Sequence, residues 1–310
     1  MQNQDTVYII GAGAIGKVLA VFLKLVNKKV VIIRGSIDDH PAFTENIEVE
    51  LYDKKRVTAA VEINTLGNFS TLDGIIVLTN KSFGNKQLSQ SLRYKCKNSP
   101  LVILQNGLGV EQPFIGNGFS QIYRTVLFAS SQPLTENKFR FKPVEPSPVG
   151  IIKGNIQTQN RIVRELSSPC FEFISEQDIL PLVWTKTIVN CVFNSVCPLL
   201  ETDNGIFHRD EHAFNIAKDV IAECVLIAKK AGISIETGKV ADKLLQISRS
   251  GDGQLISTYQ DILNKRETEI DSFNFAVSAI ANGLNDGNQV TQTKLLGELV
   301  RLKSVLSRNL

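Results

Sequence analysis

The chain has 310 residues, of which 43% are hydrophobic and 21% are charged, and its formal net charge is +3. This length favours two domains, and this composition is typical of a globular protein that buries a sizeable core. The 34 basic and 31 acidic residues are spread along the chain without a long basic block, so nucleic acid is not expected as a partner.

The five cysteines are odd in number, and no two of them have the spacing of a metal or redox motif. We therefore expect a reducing, cytoplasmic setting and no bound metal. The opening MQNQD contains no basic residue, and glycines interrupt the apolar run that follows it, so neither a targeting segment nor contact with a membrane is expected.

In chain order, the first predicted element group is a βαβ unit. Residues 6 to 10 predict a buried strand, residues 14 to 27 a helix, and the run KKVVIIRG a second strand. Such a unit implies a parallel sheet.

The next segments continue the sheet. The run NIEVELYDKKRVTAAVEI alternates apolar and polar residues about Asp53 and Lys54, as an antiparallel hairpin does. DGIIVLTN and PLVILQNG are short apolar runs that end in polar residues, and a further β-rich insertion is predicted at 122 to 154.

From about Ser175 the chain changes to long helical patterns with few strand signals. We predict an α/β protein with a Rossmann-type dinucleotide-binding domain over 1–175 and an all-helical domain over 176–310. The sequence leaves open whether the amphipathic C-terminal helix packs within the chain or across a homodimer.

The first turn carries a GxGxxG pattern, with Gly11, Gly13 and Gly16 between the first strand and its helix. In this position backbone N–H groups and a helix N-terminus face an anionic pyrophosphate, although a tight turn that only needs glycine is the alternative. The predicted cofactor loop comprises Gly11, Ala12, Gly13, Ala14, Ile15 and Gly16.

Arg34 ends the second strand, about where an NAD-binding unit places an acidic residue for the ribose hydroxyls. An arginine can bind a 2′-phosphate there, so NADPH is favoured over NADH, and an ordinary surface arginine is the alternative. Lys81 and Asn106 follow two other strands, at the edge of the sheet where ligands collect, and for either one alone an ordinary loop position is the alternative.

A polar stripe interrupts an apolar helical run in VWTKTIVNCVFNSV, where Lys186, Asn190 and Asn194 recur at four-residue intervals. Burying an ammonium and two amides is costly unless each finds a partner, so the stripe faces either water or a ligand. Apolar residues flank it on both sides, which favours a ligand. A lysine beside two amides can polarise or protonate a carbonyl oxygen.

Together these segments resemble the ketopantoate reductase (2-dehydropantoate 2-reductase) family over nearly the whole chain. That family has the GxGxxG unit, an arginine after its second strand, a lysine and an Asn-Gly after later strands, and the helix K-x-x-x-N-C-x-x-N. It continues with a further Asn-Gly, a serine followed by Q-D, and T-E-I-D. The matching positions are Gly11 to Gly16, Arg34, Lys81, Asn106, Lys186 to Asn194, Asn204, Ser257 and Glu269.

The resemblance implies reduction of the 2-oxo group of ketopantoate by NADPH, which gives pantoate for pantothenate and coenzyme A synthesis. It implies that Lys186 is the general acid and that Glu269 helps to keep Lys186 protonated, with a salt bridge or helix cap as the alternative role for Glu269. The implied substrate contacts are Asn106, Lys186, Asn190, Asn194, Asn204 and Ser257, and the implied cofactor contacts beyond the glycine loop are Arg34, Lys81, Asn106 and Glu269.

Two alternatives stay open at this point. Where the family usually has an Asn-Gly soon after T-E-I-D, this chain has Asn274 followed by Phe275, so a reductase of another 2-oxo acid or of an imine remains possible. A non-catalytic NADPH-binding regulator is the other alternative, and a proton-donating lysine argues against it.

Overall fold

The computed structural model describes residues 5–35 and 40–309. They form two compact units. The first contains the described residues up to Gln105 together with Glu111–Ile179, and the second contains Asn106–Val110 together with the chain from Leu180 onward. The predicted domain boundary at 175 stays a prediction.

The described part of the first unit contains one sheet of eleven strands in the order β11-β10-β7-β6-β5-β1-β2-β4-β3-β9-β8. The strands are β1 (Thr6–Ile10), β2 (Lys29–Arg34), β3 (Phe43–Glu50), β4 (Arg56–Thr65), β5 (Gly74–Leu78), β6 (Leu101–Ile103), β7 (Ile122–Thr125), β8 (Ala129–Pro133), β9 (Lys138–Pro143), β10 (Ser147–Lys153) and β11 (Phe173–Ser175).

The centre of this sheet is parallel, because β4, β2, β1, β5, β6 and β7 run in the same direction. Strand β5 is buried along its whole length, as expected for a strand covered on both faces. The unit also contains four helices in its described residues, α1 (Ala14–Leu25), α2 (Asn85–Arg93), α3 (Gln112–Gly116) and α4 (Ile156–Leu166). The α/β prediction for this half of the chain is confirmed.

Local differences from the predicted elements have physical causes. Helix α1 ends at Leu25 rather than at residue 27, because Asn27 adopts a positive φ of 59° that a helix does not accommodate. The predicted hairpin is present as β3 and β4, which pair antiparallel. The β-rich stretch at 122–154 extends the same sheet, since β9 pairs with β3 and β10 with β7.

The second unit is helical in its described residues, as predicted. Its helices are α5 (Leu180–Leu200), α6 (Ile206–Arg209), α7 (Glu211–Lys230), α8 (Thr237–Ser250), α9 (Ser257–Leu263), α10 (Asn274–Gly283) and α11 (Thr291–Asn309). Helix α5 is the most buried of them and contacts α7, α8, α9 and α11. None of the helices within the described ranges combines the length and the apolar character that a membrane span requires.

Candidate active site

The glycine loop is held between β1, β2 and the chain that follows β5. Gly11 donates its N–H to the carbonyl of Ile33 over 2.9 Å, and the Thr79 hydroxyl donates to the Gly11 carbonyl over 3.0 Å. Gly11 has a φ of +121°, and a Cβ on it would lie 2.6 Å from the Asn80 nitrogen. A Cβ on Gly16 would lie 2.1 Å from the Gly11 oxygen. Two of the three glycines are therefore required by the protein's own packing.

Gly13 differs, because a Cβ there would meet no protein atom within 4 Å. Its φ of −79° suits any residue, so neither backbone conformation nor packing explains a glycine at this position. Helix α1 begins directly after it, with no side-chain cap on its N-terminus and no acidic residue in its first turn. An open space in front of a helix N-terminus is suited to a phosphate group.

A polar cluster that the sequence interpretation missed follows β5 and β6. The Gln105 amide exchanges hydrogen bonds with the Asn85 amide over 2.7 and 2.8 Å and donates to the Asn80 carbonyl over 2.9 Å. The Asn80 Oδ1 atom is buried and has no hydrogen-bond partner among the described residues. The sequence did contain a signal for this cluster, namely the polar residues that end two apolar runs. Thr79 and Asn80 end DGIIVLTN directly before Lys81, and Gln105 ends LVILQ.

Arg34 and Lys81, the two predicted basic cofactor contacts, are both half-buried at the carboxyl ends of their strands. The Arg34 Nη2 atom donates to the His40 carbonyl over 3.3 Å, and the guanidinium lies 5.4 Å from the centre of the Phe43 ring. An aromatic face holds a guanidinium in place without neutralising its charge. The Phe43 ring therefore supports the Arg34 guanidinium at the end of β2.

The predicted polar stripe lies on α5, as the spacing requires, but its three members differ in exposure. Lys186 and Asn190 are half-buried, whereas Asn194 is 1% exposed. The Asn194 Oδ1 atom accepts hydrogen bonds from the Ser257 hydroxyl and from the Thr258 N–H, each over 3.2 Å. Asn194 thus fixes the N-terminus of α9 and holds Ser257, which is itself exposed.

Asn204 lies in a loop that is tied to the segment after α8. Its N–H donates to the Gln254 carbonyl over 2.9 Å, and the Ser248 hydroxyl donates to its carbonyl over 2.7 Å. The Asn204 Oδ1 atom is buried without a hydrogen-bond partner in the described part of the chain. A buried carbonyl in this state can accept a hydrogen bond from a ligand hydroxyl.

An ionic cluster beside Asn204 clamps the same loop. The Asp203 carboxylate accepts two hydrogen bonds from the Arg209 Nη2 atom, over 3.0 and 2.9 Å, and one from the Gly205 N–H over 2.6 Å. Arg209 also pairs with Asp252. The hydrogen bond from Arg209 is the main reason that the pKa of Asp203 lies below its ordinary value of 3.8.

Asn106 and Glu269 belong to the second unit. The segment Asn106–Val110 is anchored there by Leu108, whose N–H donates to the Ser272 carbonyl over 3.0 Å. Gly107 has a φ of +97°, and a Cβ on it would lie 2.4 Å from the Ser272 oxygen, so only glycine permits this approach. Glu269 is half-buried and directly precedes the 3-10 turn Ile270–Ser272.

The predicted site residues therefore fall into two groups. The glycine loop, Arg34 and Lys81 lie at the carboxyl ends of β1, β2 and β5 in the first unit. The second unit holds the other predicted residues, and its α5 contacts both α9 and the turn that follows Glu269. The second group consists of Asn106, Lys186, Asn190, Asn194, Asn204, Ser257 and Glu269.

Neither group contains an arrangement for a metal ion, since the described residues hold no cluster of three or more His, Cys, Asp or Glu side chains that could bind one. Cys191, next to Asn190, is fully buried, and burial raises its thiol pKa well above the ordinary value. Trp184, two residues before Lys186, is 5% exposed and belongs to the core.

Two family models match the chain. The model described as "Ketopantoate reductase PanE/ApbA" matches residues 7–142, and "Ketopantoate reductase PanE/ApbA C terminal" matches residues 178–303. Among curated relatives, a probable 2-dehydropantoate 2-reductase of Schizosaccharomyces pombe is 25% identical, with 98% of both chains covered. A 2-dehydropantoate 2-reductase of Pyrococcus abyssi is 26% identical, with 97% of this chain and 98% of the relative covered.

Solved structures show the same fold. A PanE/ApbA family ketopantoate reductase from Ralstonia eutropha has a TM-score of 0.84 at 18% identity, covering 98% of this chain and 99% of the other. A dimeric ketopantoate reductase from Staphylococcus aureus has a TM-score of 0.80 at 17% identity, and a D-mandelate dehydrogenase with NADH and anilino(oxo)acetate has 0.82 at 21%. Each of these two matches covers 97% of this chain and 99% of the solved chain. With both family models matched in order across the two units, this chain belongs to the ketopantoate reductase family, whose members are oxidoreductases.

Proposed function

We propose that the protein reduces 2-dehydropantoate (ketopantoate) to pantoate with NADPH, in the biosynthesis of pantothenate and coenzyme A. The observation that carries the proposal is the half-buried residue Lys186 on a largely apolar helix, one turn before the half-buried residue Asn190. The curated relatives in S. pombe and P. abyssi are named for this reaction.

The first unit fits a dinucleotide. Open space at Gly13 in front of α1 suits the pyrophosphate, and the buried Asn80 Oδ1 atom can accept a hydrogen bond from a ligand group. Arg34 supplies a supported positive charge for a 2′-phosphate, which favours NADPH over NADH. Lys81 adds a second positive charge at the end of β5.

When bound, NADPH supplies the hydride that reduces the carbonyl carbon of the substrate. Lys186 donates a proton from Nζ to the carbonyl oxygen, so the product is a hydroxyl group, and Lys186 recovers its proton from solvent. Asn190 and Asn194 orient the substrate, the latter through the Ser257 hydroxyl that it holds. Asn204 offers its buried carbonyl to a substrate hydroxyl, and Asn106 contacts both ligands.

Glu269 has a double role in this proposal. In the second unit it offers a carboxylate to the Lys186 ammonium, and it also contacts the cofactor. Its position supports this, because the turn that begins after Glu269 packs against α5.

A reductase of another 2-oxo acid is the second candidate. It is favoured by the D-mandelate dehydrogenase neighbour, whose structure contains NADH and anilino(oxo)acetate, a carboxylate with a carbonyl on the adjacent carbon. The replacement of the family's Asn-Gly by Asn274 and Phe275 also lies in the second unit, whose residues would contact the substrate. A non-catalytic regulator has no need of a proton donor on α5 and is less well supported.

The test is to follow the loss of NADPH absorbance by the full-length protein with ketopantoate, with other branched and aromatic 2-oxo acids, and with NADH replacing NADPH. The proposal requires the highest kcat/KM for ketopantoate with NADPH. Faster turnover of another 2-oxo acid supports the second candidate, and tight NADPH binding without turnover of any substrate supports a regulator.

We also propose that the protein acts in the cytoplasm as a homodimer. The dimeric S. aureus ketopantoate reductase, which shares this fold over nearly its whole length, supports the dimer. The free cysteines among the described residues are consistent with a reducing compartment.

A further inference from the structure

Helix α11 exposes most of its large apolar side chains to solvent, which is unusual for a helix that packs only within its own unit. The buried residues of this helix are Thr293, Gly297, Val300 and Ser304, none of which is larger than valine. Leu296 is half-buried, and the other leucines of α11 together with Val305 point outward and are between 40% and 61% exposed. They are Leu295, Leu299, Leu302, Val305 and Leu306.

The four leucines form one continuous stripe. Each follows a buried residue by two positions, and two positions correspond to about 200° of rotation around a helix. The leucines therefore lie opposite the buried face, at the outermost part of the unit. A contiguous apolar surface of this kind on a folded protein marks an interaction site.

The spacing of the leucines identifies the partner as a second copy of this chain. Leu295 and Leu302 are seven residues apart, as are Leu299 and Leu306, which is the heptad pattern of paired helices. The intervals of four, three and four residues read the same in both directions. Two copies of the stripe therefore place leucine against leucine, whether the helices run parallel or antiparallel, as a two-fold interface requires.

Residues around the stripe support this reading. Glu298 lies on one flank and Lys303 on the other, so opposite charges meet when two copies pair in parallel. The Lys303 ammonium also binds the Glu201 carboxylate over 2.7 Å. Leu200, which is 55% exposed, precedes Glu201 and extends the apolar surface toward the end of α5.

The geometry points to a homodimer in which the leucine stripe of α11, Leu295, Leu299, Leu302 and Leu306, packs against the same stripe of a second chain. This inference rests on the homodimer proposed above and adds the surface that forms it. It is independent of the substrate and of the cofactor, because none of the predicted site residues lies on α11.

The test compares the mass of three full-length proteins by sedimentation equilibrium at micromolar concentration. The wild type is expected to have the mass of two chains. Two double variants, Leu299→Glu with Leu302→Glu and Leu299→Lys with Leu302→Lys, are each expected to have the mass of one chain, because like charges replace the centre of the stripe. Mixing the two variants is expected to restore the mass of two chains, since glutamates then face lysines in either orientation of the helices.

The matched control is Ile216→Glu, which introduces the same charge at a 40% exposed apolar position on α7 and is expected to leave the dimer intact. Circular dichroism establishes whether each variant is folded. If a double variant does not fold, the single variant Leu306→Glu, near the end of the helix, is used in its place. If the wild type and both double variants are dimeric, the leucine stripe is not the dimer surface, although the homodimer itself stands. A monomeric wild type overturns both, and the reductase assay is unaffected by either result.

Discussion

At the scale of single residues, the proposed chemistry depends on the ammonium group of Lys186. Lys186→Met keeps an unbranched side chain that is one atom shorter, but removes the proton that the carbonyl oxygen requires. We expect kcat to fall by about 100- to 10,000-fold. The dissociation constant for NADPH, measured by fluorescence titration, is expected to change little, because Lys186 lies in the unit that does not contain the glycine loop.

The control for this variant is Lys239→Ala on α8, whose side chain is 76% exposed, and it should retain wild-type kcat. Wild-type turnover by Lys186→Met would remove Lys186 from the role of general acid. Loss of NADPH binding together with activity would instead indicate a structural role.

Arg34 is the second residue whose role can be isolated. If its guanidinium binds the 2′-phosphate, Arg34→Ala loses a charge-assisted hydrogen bond of about 1.5–3 kcal/mol, which is roughly a 10- to 150-fold weaker affinity for NADPH. Affinity for NADH, which has no such phosphate, should change less than threefold by isothermal titration calorimetry. Equal weakening for both nucleotides contradicts the assignment, and Arg93→Ala, at an exposed arginine of the same unit, is the control.

The sequence was sufficient to identify the polar stripe, because a 3.6-residue period places Lys186, Asn190 and Asn194 on one face. The sequence could not show that these three side chains differ in their exposure to solvent. Asn194 is 1% exposed because α9, more than sixty residues later in the chain, packs over it and uses its carbonyl as a cap. Such a contact depends on tertiary packing between distant helices, which no local pattern encodes.

At the scale of elements, the β1–loop–α1 turn contains two glycines that the fold requires, Gly11 and Gly16, and one, Gly13, that we propose faces a ligand. Gly16→Ala places a Cβ against the Gly11 carbonyl and should lower the free energy of unfolding by about 1–3 kcal/mol in urea denaturation. Gly13→Ala meets no protein atom, so its stability should change by less than about 0.5 kcal/mol. If the pyrophosphate binds in this space as proposed, the added methyl group displaces it, and the affinity of Gly13→Ala for NADPH should fall at least tenfold.

Gly84→Ala is the matched control, since a Cβ there also meets no protein atom and the position lies outside the loop. It should leave both stability and NADPH affinity unchanged. If Gly13→Ala binds NADPH as tightly as the wild type, the open space before α1 is not the phosphate site.

Element prediction succeeded where the signal is local. The bounds of β1 and β2 follow from apolar runs that end in glycine or in a charged residue, and the β3–β4 hairpin follows from alternation about Asp53 and Lys54. The cluster of Asn80, Asn85 and Gln105 was missed because its members are scattered over the chain. Only the adjacency of β5 and β6 in the sheet brings them together.

At the scale of the whole molecule, the Asp203–Arg209 clamp makes global stability depend on pH. The pKa of Asp203 is lower in the folded protein than its ordinary value of 3.8, so the folded state binds this proton less readily than the unfolded state. The clamp therefore contributes its full stabilisation above about pH 4 and loses it as the pH falls through the folded-state pKa.

Asp203→Asn tests this contribution. The variant should unfold at a lower urea concentration than the wild type at pH 7, and the difference should shrink below pH 4. Asp242→Asn on α8, a position with no ion pair to any described residue, should match the wild type at every pH. A difference between Asp203→Asn and the wild type that persists unchanged at pH 3 would rule out ionisation of this carboxylate as the cause.

The placement of Asn106–Val110 has a consequence for recombining this chain with its relatives. A chimera joined near Leu180 would exchange the chain from Leu180 onward but keep the parental segment Asn106–Val110. The Leu108–Ser272 hydrogen bond and the contact of Gly107 with Ser272 would then join segments from two different proteins. The helical unit is thus inherited as two separate pieces of sequence. Grafting both pieces, 106–110 together with 180–310, transfers the intact unit and with it every predicted substrate residue.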